Sequence, residues 1–170
     1  MDIHIRKARP EDAHPYAANH VACWQAAYQG ILPDEYLNAM PVEKMAERNR
    51  QTLSDPGLCR YYCVEQDGRM IGRLITCESC DEDKSNAGEI AAIYLLDAFW
   101  GKGYGRKLMD FALADLTSQG YDEAILWVLE PNHRARRFYE KCGFALDGAQ
   151  KEIHIGQPHT ELRYTLALSK

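Results

Sequence analysis

A glycine-rich turn flanked by basic residues is the first feature of this sequence that could do chemistry. Residues 101–105 read Gly-Lys-Gly-Tyr-Gly, and Arg106 and Lys107 follow directly. An apolar segment at residues 89–96 predicts a strand before the turn, and apolar spacing over residues 108–116 predicts a helix after it. The first amides of a helix lack partners and lie at its positive end, and glycines let a phosphate approach the backbone. The turn therefore predicts a phosphate site, with a ligand-free turn as the alternative.

The glycine spacing differs from that of two common phosphate loops. The chain contains no Gly-x-x-x-x-Gly-Lys-Ser/Thr run, and residues 101–105 do not fit Gly-x-Gly-x-x-Gly. Residues 100–105 instead resemble the pyrophosphate loop of the GNAT acetyltransferase superfamily, Gln/Arg-x-x-Gly-x-Gly/Ala. Trp100 stands where Gln or Arg is usual. Because the loop acts mainly through backbone amides, this departure weakens the match only slightly.

A second motif lies after the next predicted strand. Asn132, Ala135, Tyr139 and Gly143-Phe144 match every fixed position of the GNAT pattern Asn-x-x-Ala-x-x-x-Tyr-x-x-x-Gly-Phe. Both motifs occur in the family's order, and the order of predicted elements also agrees. The resemblance therefore covers essentially the whole chain.

The resemblance implies acetyl-CoA as co-substrate and no metal. It assigns the pantetheine arm to Ile93, Tyr94 and Leu95 on the central strand. Asn132 and Tyr139 are also implied to contact the cofactor, and Asn132 is predicted to cap its helix. The pyrophosphate is assigned to Gly101, Lys102, Gly103, Tyr104, Gly105 and Arg106.

Acetyl transfer to an amine needs an unprotonated amine, a donor for the oxyanion and a proton for the departing thiolate. The resemblance places Tyr139 in the proton-donor position. It also implies Glu89 as the base, because histone acetyltransferases carry their glutamate at this spacing before the glycine loop. A water relay, His133 or His154 are alternatives for the base, and Glu89 is alternatively a strand-end carboxylate facing solvent or a substrate cation.

The acceptor pocket is the least specified part of the prediction. Residues 24–33, Trp-x-x-x-Tyr-x-Gly-Ile-Leu-Pro, resemble a run in many bacterial GNAT proteins that lines this pocket. Trp24, Tyr28 and Tyr36 are therefore predicted substrate-binding residues, with core packing as the alternative. The predicted acceptor is a primary amine of a small molecule or peptide. Alternatives are a protein N-terminal or lysine acetyltransferase, an inactive CoA-binding sensor or structural subunit and, more distantly, a nucleotide-binding module.

The predicted elements indicate one α/β domain over residues 1–170. The resemblance implies a mixed central sheet of about seven strands, with helices on both faces and a splayed central strand pair. Helices are predicted from near residue 10 to 28, at 33–37, 42–53, 104–119 and 132–142. Strands are predicted at 3–8, 59–66, 70–78, 89–96, 124–129, 150–155 and 161–168, with a further start at Phe144.

The net charge and the apolar runs of the chain indicate which classes of partner to expect. The net charge of −5 makes nucleic acid an unexpected partner. No apolar run approaches the ~20 residues that a membrane span needs, and the first residues lack a signal sequence, so a cytoplasmic protein is expected. The oligomeric state is open between monomer and homodimer.

Six cysteines allow two interpretations. Cys59, Cys63, Cys77 and Cys80 have a spacing faintly like that of a four-thiolate zinc site. Cys63 and Cys77, however, fall inside predicted strands, where small apolar residues are expected. The favoured prediction is structural thiols in a reducing compartment.

Overall fold

A computed structural model describes residues 2–169 and contains one seven-stranded sheet. The spatial order is β1-β2-β3-β4-β5-β7-β6, and only β4 and β5 are parallel neighbours. The strands are β1 His4–Lys7, β2 Arg60–Gln66, β3 Arg69–Glu78, β4 Ala87–Leu95, β5 Glu123–Leu129, β6 Ala145–Ile155 and β7 Gln157–Ala167.

Five helices cover the two faces of the sheet. They are α1 Ala13–Ala27, α2 Asp34–Asn38, α3 Val42–Ser54, α4 Tyr104–Ser118 and α5 His133–Lys141. Tyr16 of α1 lies over Arg73 of β3 on one face, whereas Thr76 of β3 donates to Asp115 of α4 on the other. The predicted α/β fold with helices on both faces is thereby confirmed.

The parallel strands β4 and β5 stay together over a short distance only. Residues 87–89 pair with residues 123–125, and no pairing continues toward the carboxyl ends. A register irregularity between Ile75 and Thr76 of β3 lies beside the same part of β4. This is the splayed central pair that was predicted, and it opens the sheet where the glycine turn begins.

The tail of the chain differs from its predicted form. β6 is one long strand with a register irregularity between Leu146 and Gln150, instead of a strand that begins near residue 150. The turn to β7 is also tighter than predicted, because Ile155 pairs directly with Gln157. Gly156 makes this turn with a φ of 70°, a conformation that favours glycine.

The prediction that all cysteines are free thiols is wrong for two of them. Cys59 and Cys77 form a disulfide, while Cys23, Cys63, Cys80 and Cys142 are free. Counting back from the Asp67-Gly68 turn places Cys59 opposite Thr76. An irregularity between Val64 and Glu65 shifts the register by one residue, so that Arg60 pairs with Thr76 and Cys59 meets Cys77. The bulge, which the sequence pattern does not reveal, therefore creates the cross-link.

The polar loop before β4 is held by a buried arginine. Arg163 of β7 donates to Asp81 and Asp83 of this loop at 2.9 and 2.5 Å, and to Asp147 of β6 at 2.7 Å. The Trp127 indole also donates to Asp81, at 3.1 Å. The loop is therefore fixed against β5, β6 and β7 by its acidic side chains.

No helix within residues 2–169 combines the length and the apolar character that a membrane crossing requires.

Candidate active site

A cleft of about 720 Å³ opens where β4 and β5 separate. Its walls come from the carboxyl halves of both strands, the glycine turn, α5, the end of α1 and the β6–β7 hairpin. Tyr139 of α5 packs on Tyr164, on the α4–α5 face of the sheet. Leu129 packs instead against Leu32 and Leu37 on the α1–α2 face. The cleft thus joins the two faces through the gap between the strands.

The glycine turn has the backbone that its sequence predicts. Gly101 and Gly103 have φ values of 69° and 82°, which only glycine adopts without strain. Gly103 directly precedes α4, whose first amides therefore point to the turn. Gly105 allows α4 to approach α5, because a Cβ there would lie 3.3 Å from the Phe138 ring. Gly101, Gly103, Gly105 and Arg106 all line the cleft.

Basic side chains of α5 extend the positive end of the cleft. Arg134, Arg137 and Lys141 lie along one side of the helix and line the cleft together with Arg106. None of the three has an ion pair with any residue in the described range 2–169. Their spacing of three and four residues is typical of one helical face and could have indicated them from the sequence. The family motif does not include these positions, because it names only Asn132, Ala135 and Tyr139 in this region.

Trp100, the one departure from the family's loop pattern, has a specific environment. Its indole N–H donates to the Leu95 carbonyl oxygen at 2.9 Å. The guanidinium carbon of Arg134 lies 3.6 Å from the centroid of the Trp100 ring. A positive charge therefore covers the position at which the family usually has Gln or Arg.

Tyr139 lies between the positive end of the cleft and the gap in the sheet. Its ring packs against Phe144 and Tyr164, and its hydroxyl makes no hydrogen bond with a residue that the structure describes. Burial, and then the neighbouring Tyr94, raise the pKa of Tyr139 above its ordinary value of 10. The hydroxyl therefore keeps its proton at neutral pH. Asn132, about two turns earlier, lines the same cleft and caps α5 by accepting from Ala135 N at 3.3 Å, as predicted.

Aromatic residues form the opposite end of the cleft. The Tyr28 and Tyr94 hydroxyls lie 2.5 Å apart, and Trp24 packs edge-on against Tyr28. Arg73 lies behind Tyr94, with its guanidinium carbon 5.0 Å from the ring centroid. Tyr36 lines a separate pocket of about 350 Å³ between α1, α2 and α3, and Trp24 borders both cavities.

The predicted base, Glu89, and a second glutamate, Glu161, have different positions relative to the cleft. Glu89 pairs with Cys77 and Ile125 near the start of β4 and does not contribute to the cleft wall formed by residues 2–169. Burial raises the pKa of its carboxyl. Glu161 of β7, which belongs to no motif of the sequence, pairs with Leu129 at the carboxyl end of β5 and does line the cleft. Burial also raises the pKa of Glu161, against the effect of Lys151.

Most of the predicted site residues lie together. Glu89, Lys102, Tyr104 and Tyr36 are outside the walls that the described residues give this cleft. The Tyr104 hydroxyl accepts from Gln66, and Lys102 lies over the Phe99 ring. The predicted residues that line the cleft are Trp24, Tyr28, Ile93, Tyr94, Leu95, Gly101, Gly103, Gly105, Arg106, Asn132 and Tyr139. No group of three or more potential ligands within residues 2–169 is placed to hold a metal ion.

Comparison with known proteins agrees with this arrangement. Residues 22–144 match the family model described as the acetyltransferase (GNAT) family. The chain belongs to this family. The prediction of an acetyl-CoA-dependent N-acetyltransferase is confirmed at the level of the GNAT family.

Curated relatives of this GNAT protein extend over most of the chain. It is 34% identical over 150 residues to a probable N-acetyltransferase of Mycobacterium tuberculosis, covering 86% of this chain and 82% of the relative. It is 27% identical to the uncharacterized N-acetyltransferase YuaI of Bacillus subtilis, covering 96% and 98% of the two chains.

Solved structures share the GNAT fold. The PaiA N-acetyltransferase of Thermoplasma acidophilum, in complex with coenzyme A, has a TM-score of 0.75 at 22% identity and covers 96% of this chain and 98% of its own. YncA of Salmonella typhimurium, solved with acetyl-CoA, has a TM-score of 0.72 at 16% identity and covers 100% and 96%. At these identities the likeness concerns the fold alone.

Proposed function

We propose that this GNAT protein transfers the acetyl group of acetyl-CoA directly to a primary amine of a small molecule or peptide. One observation carries the proposal: a single cleft passes through the gap between β4 and β5, with cations at one end and a carboxylate at the other. The cation end suits the phosphates of CoA, and the carboxylate end suits an amine. Tyr139 lies between them.

The residues present fit acetyl-CoA. The amides at the start of α4, with Arg106, Arg134 and Arg137, would hold its phosphates. The unpaired carboxyl half of β4, which includes Ile93, Tyr94 and Leu95, would accept the pantetheine arm along its backbone. Acetyl-CoA supplies an activated thioester, so the chain need not form a covalent intermediate.

Tyr139 would act at the leaving group. When the amine nitrogen bonds to the acetyl carbon and the carbon–sulfur bond breaks, the departing sulfur needs a proton. The raised pKa of Tyr139 keeps that proton on its hydroxyl until this moment. An acceptor that enters as an ammonium ion loses two protons in the reaction: one makes good the proton that Tyr139 gives to the sulfur, and the other is released to solvent. Glu89, the predicted base, lies six residues before Leu95, about 20 Å along the strand, so it would act through water.

The test is turnover of acetyl-CoA with a panel of free amines, amino acids and short peptides. Chromatography should measure the CoA released, because the protein's own thiols would react with a thiol dye. We expect CoA release and an acetylated product with one class of amine. Binding of acetyl-CoA with no turnover of any amine would favour a CoA-binding sensor.

A further inference from the structure

We propose that Glu161 binds the ammonium group of the acceptor, and that the acceptor is a primary amine with one positive charge on an apolar body. This inference rests on the proposed function and assigns its acceptor subsite. Glu161 is the single acidic residue among the described residues that line the cleft. The basic residues of the cleft belong to the start of α4 and to α5.

The strand register places Glu161 on the acceptor side of the gap. Glu161 pairs with Leu129, and directly paired residues project from the same face of a sheet. Leu129 packs against α1 and α2, so Glu161 faces those helices. Tyr164, three residues later on β7, projects to the other face, where it contacts Tyr139. The carboxylate and the Tyr139 hydroxyl therefore approach the cleft from opposite faces.

Lys151 shows that this corner of the protein accepts an ammonium group. Its Nζ lies 3.7 Å from a Glu161 oxygen and 4.1 Å from the centroid of the Trp127 ring. A carboxylate and an aromatic face are the two groups that recognise an ammonium ion in proteins. Lys151 itself is largely exposed, with 42% of its side chain accessible, against 18% for Glu161. An incoming amine would therefore share the carboxylate with a lysine that can turn toward solvent.

The surroundings of Glu161 indicate an apolar body for the acceptor. The nearby walls are Trp24, Tyr28, Trp127, Leu129, Ile153 and Ile155. Glu89 is near enough to interact with the charges of Lys151 and Glu161, but it does not line the cleft, so a polyamine would meet one carboxylate in this wall and leave its further charges without direct partners there. A monoamine with an alkyl or aryl body fits both the charge and the walls.

Steady-state kinetics with hexylamine and 2-phenylethylamine test the assignment. For Glu161→Gln we expect the KM of the amine to rise about 10- to 150-fold, the fold-change of a hydrogen bond to a charged group, with a smaller change in kcat. Glu152→Gln is the matched control, because Glu152 lies on the same hairpin, is exposed and projects from the other face. Its KM should equal that of the wild type.

Lys151→Gln should change the KM of the amine in the opposite direction. Removal of the competing ammonium should lower the KM of the same amines about two- to fivefold, as expected for loss of an exposed ion pair. Structural damage would not lower KM. A raised KM for these monoamines in this variant would show that Lys151 does not compete with the amine for Glu161, and it would overturn the proposed subsite. Preference of the wild type for spermidine over both monoamines would overturn it as well.

A binding measurement separates failure of the subsite from failure of the enzyme. Calorimetric affinity for acetyl-CoA should be the same in the wild type and in Glu161→Gln, since Glu161 belongs to β7 and the residues that would hold the phosphates belong to α4 and α5. Benzyltrimethylammonium should compete with the amine in the wild type and lose at least tenfold in affinity in the variant. If the wild type acetylates no amine, the proposed function fails. If it acetylates amines and Glu161→Gln has an unchanged KM, this inference alone fails.

Discussion

At the scale of single residues, Tyr139 gives the clearest prediction. Tyr139→Phe should lower turnover by about one to four orders of magnitude, because the departing thiolate would lose its proton donor. Acetyl-CoA affinity should barely change, since the ring and its packing on Phe144 and Tyr164 remain. Stopped assays and calorimetry measure the two quantities, with Tyr121→Phe as a control outside the cleft. Equal turnover in the two variants would remove Tyr139 from the mechanism.

The site residues differ in how far the sequence could predict them. The glycine turn, Asn132 and Tyr139 were predicted because each belongs to a local motif with fixed spacing. Glu161 was missed because its position in the cleft depends on the register of β7 against β5, which no local pattern encodes. Arg134 was missed for a related reason, since its contact with Trp100 joins a helix to a loop distant in sequence.

At the scale of helices, His20 of α1 makes the fold sensitive to acid. Its Nε2 is buried without a hydrogen-bond partner among residues 2–169, and burial, with the nearby positive charge of Arg73, lowers its pKa to about 3. The unfolded chain takes up a proton near pH 6.5, whereas the folded chain does not until about pH 3. Stability from this group is therefore present above pH 6.5 and is lost as the pH falls.

Urea unfolding at pH 7 and pH 5 measures this loss. The contribution of His20 corresponds to about 2 kcal/mol of unfolding free energy between these two pH values. In His20→Gln the pH dependence should be smaller by this amount. His14→Gln, in which an exposed histidine next to Glu43 is replaced, should behave like the wild type. Parallel pH dependence in all three proteins would contradict the assignment.

The loop before β4 supplies a second prediction at the scale of elements. Arg163→Met should lower the free energy of unfolding by about 3 kcal/mol, because three aspartates would lose their buried cationic partner. The freed loop should also become a substrate for trypsin at Lys84, which now pairs with Glu123. Limited proteolysis followed by mass spectrometry identifies the cleavage site. Arg50→Met, which replaces an exposed arginine, is the control. Resistance of Lys84 in the Arg163 variant would show that other contacts hold the loop.

At the scale of the whole molecule, the disulfide predicts the number of reactive thiols. Alkylation in denaturant should modify four cysteines before reduction and six after it. The bridge closes a segment of 18 residues, and its loss in Cys59→Ala/Cys77→Ala should cost about 3 kcal/mol of stability. Cys23→Ala/Cys63→Ala serves as a control that retains the bridge. Six thiols before reduction would show that the purified protein lacks it.

The sequence predicted the positions of the strands more accurately than the irregularities in their pairing. Apolar periodicity and turn residues located all seven strands within a few residues, except that β6 begins earlier than the strand predicted near residue 150. Features that depend on a one-residue irregularity were not predictable. The bulge between Val64 and Glu65 determines that Cys59 lies opposite Cys77 and can form the disulfide. The irregularity between Leu146 and Gln150 lies within β6, which includes both predicted strand segments.

The gap between β4 and β5 has a consequence for how this protein could acquire new substrates. Donor and acceptor would meet through the sheet, yet each would be held by different elements: α4 and α5 for the donor, α1 and the β6–β7 hairpin for the acceptor. Substitutions in the hairpin should therefore change which amine is acetylated, whereas the residues that would bind CoA remain unchanged. Directed evolution of a new acceptor should begin with residues 151–161.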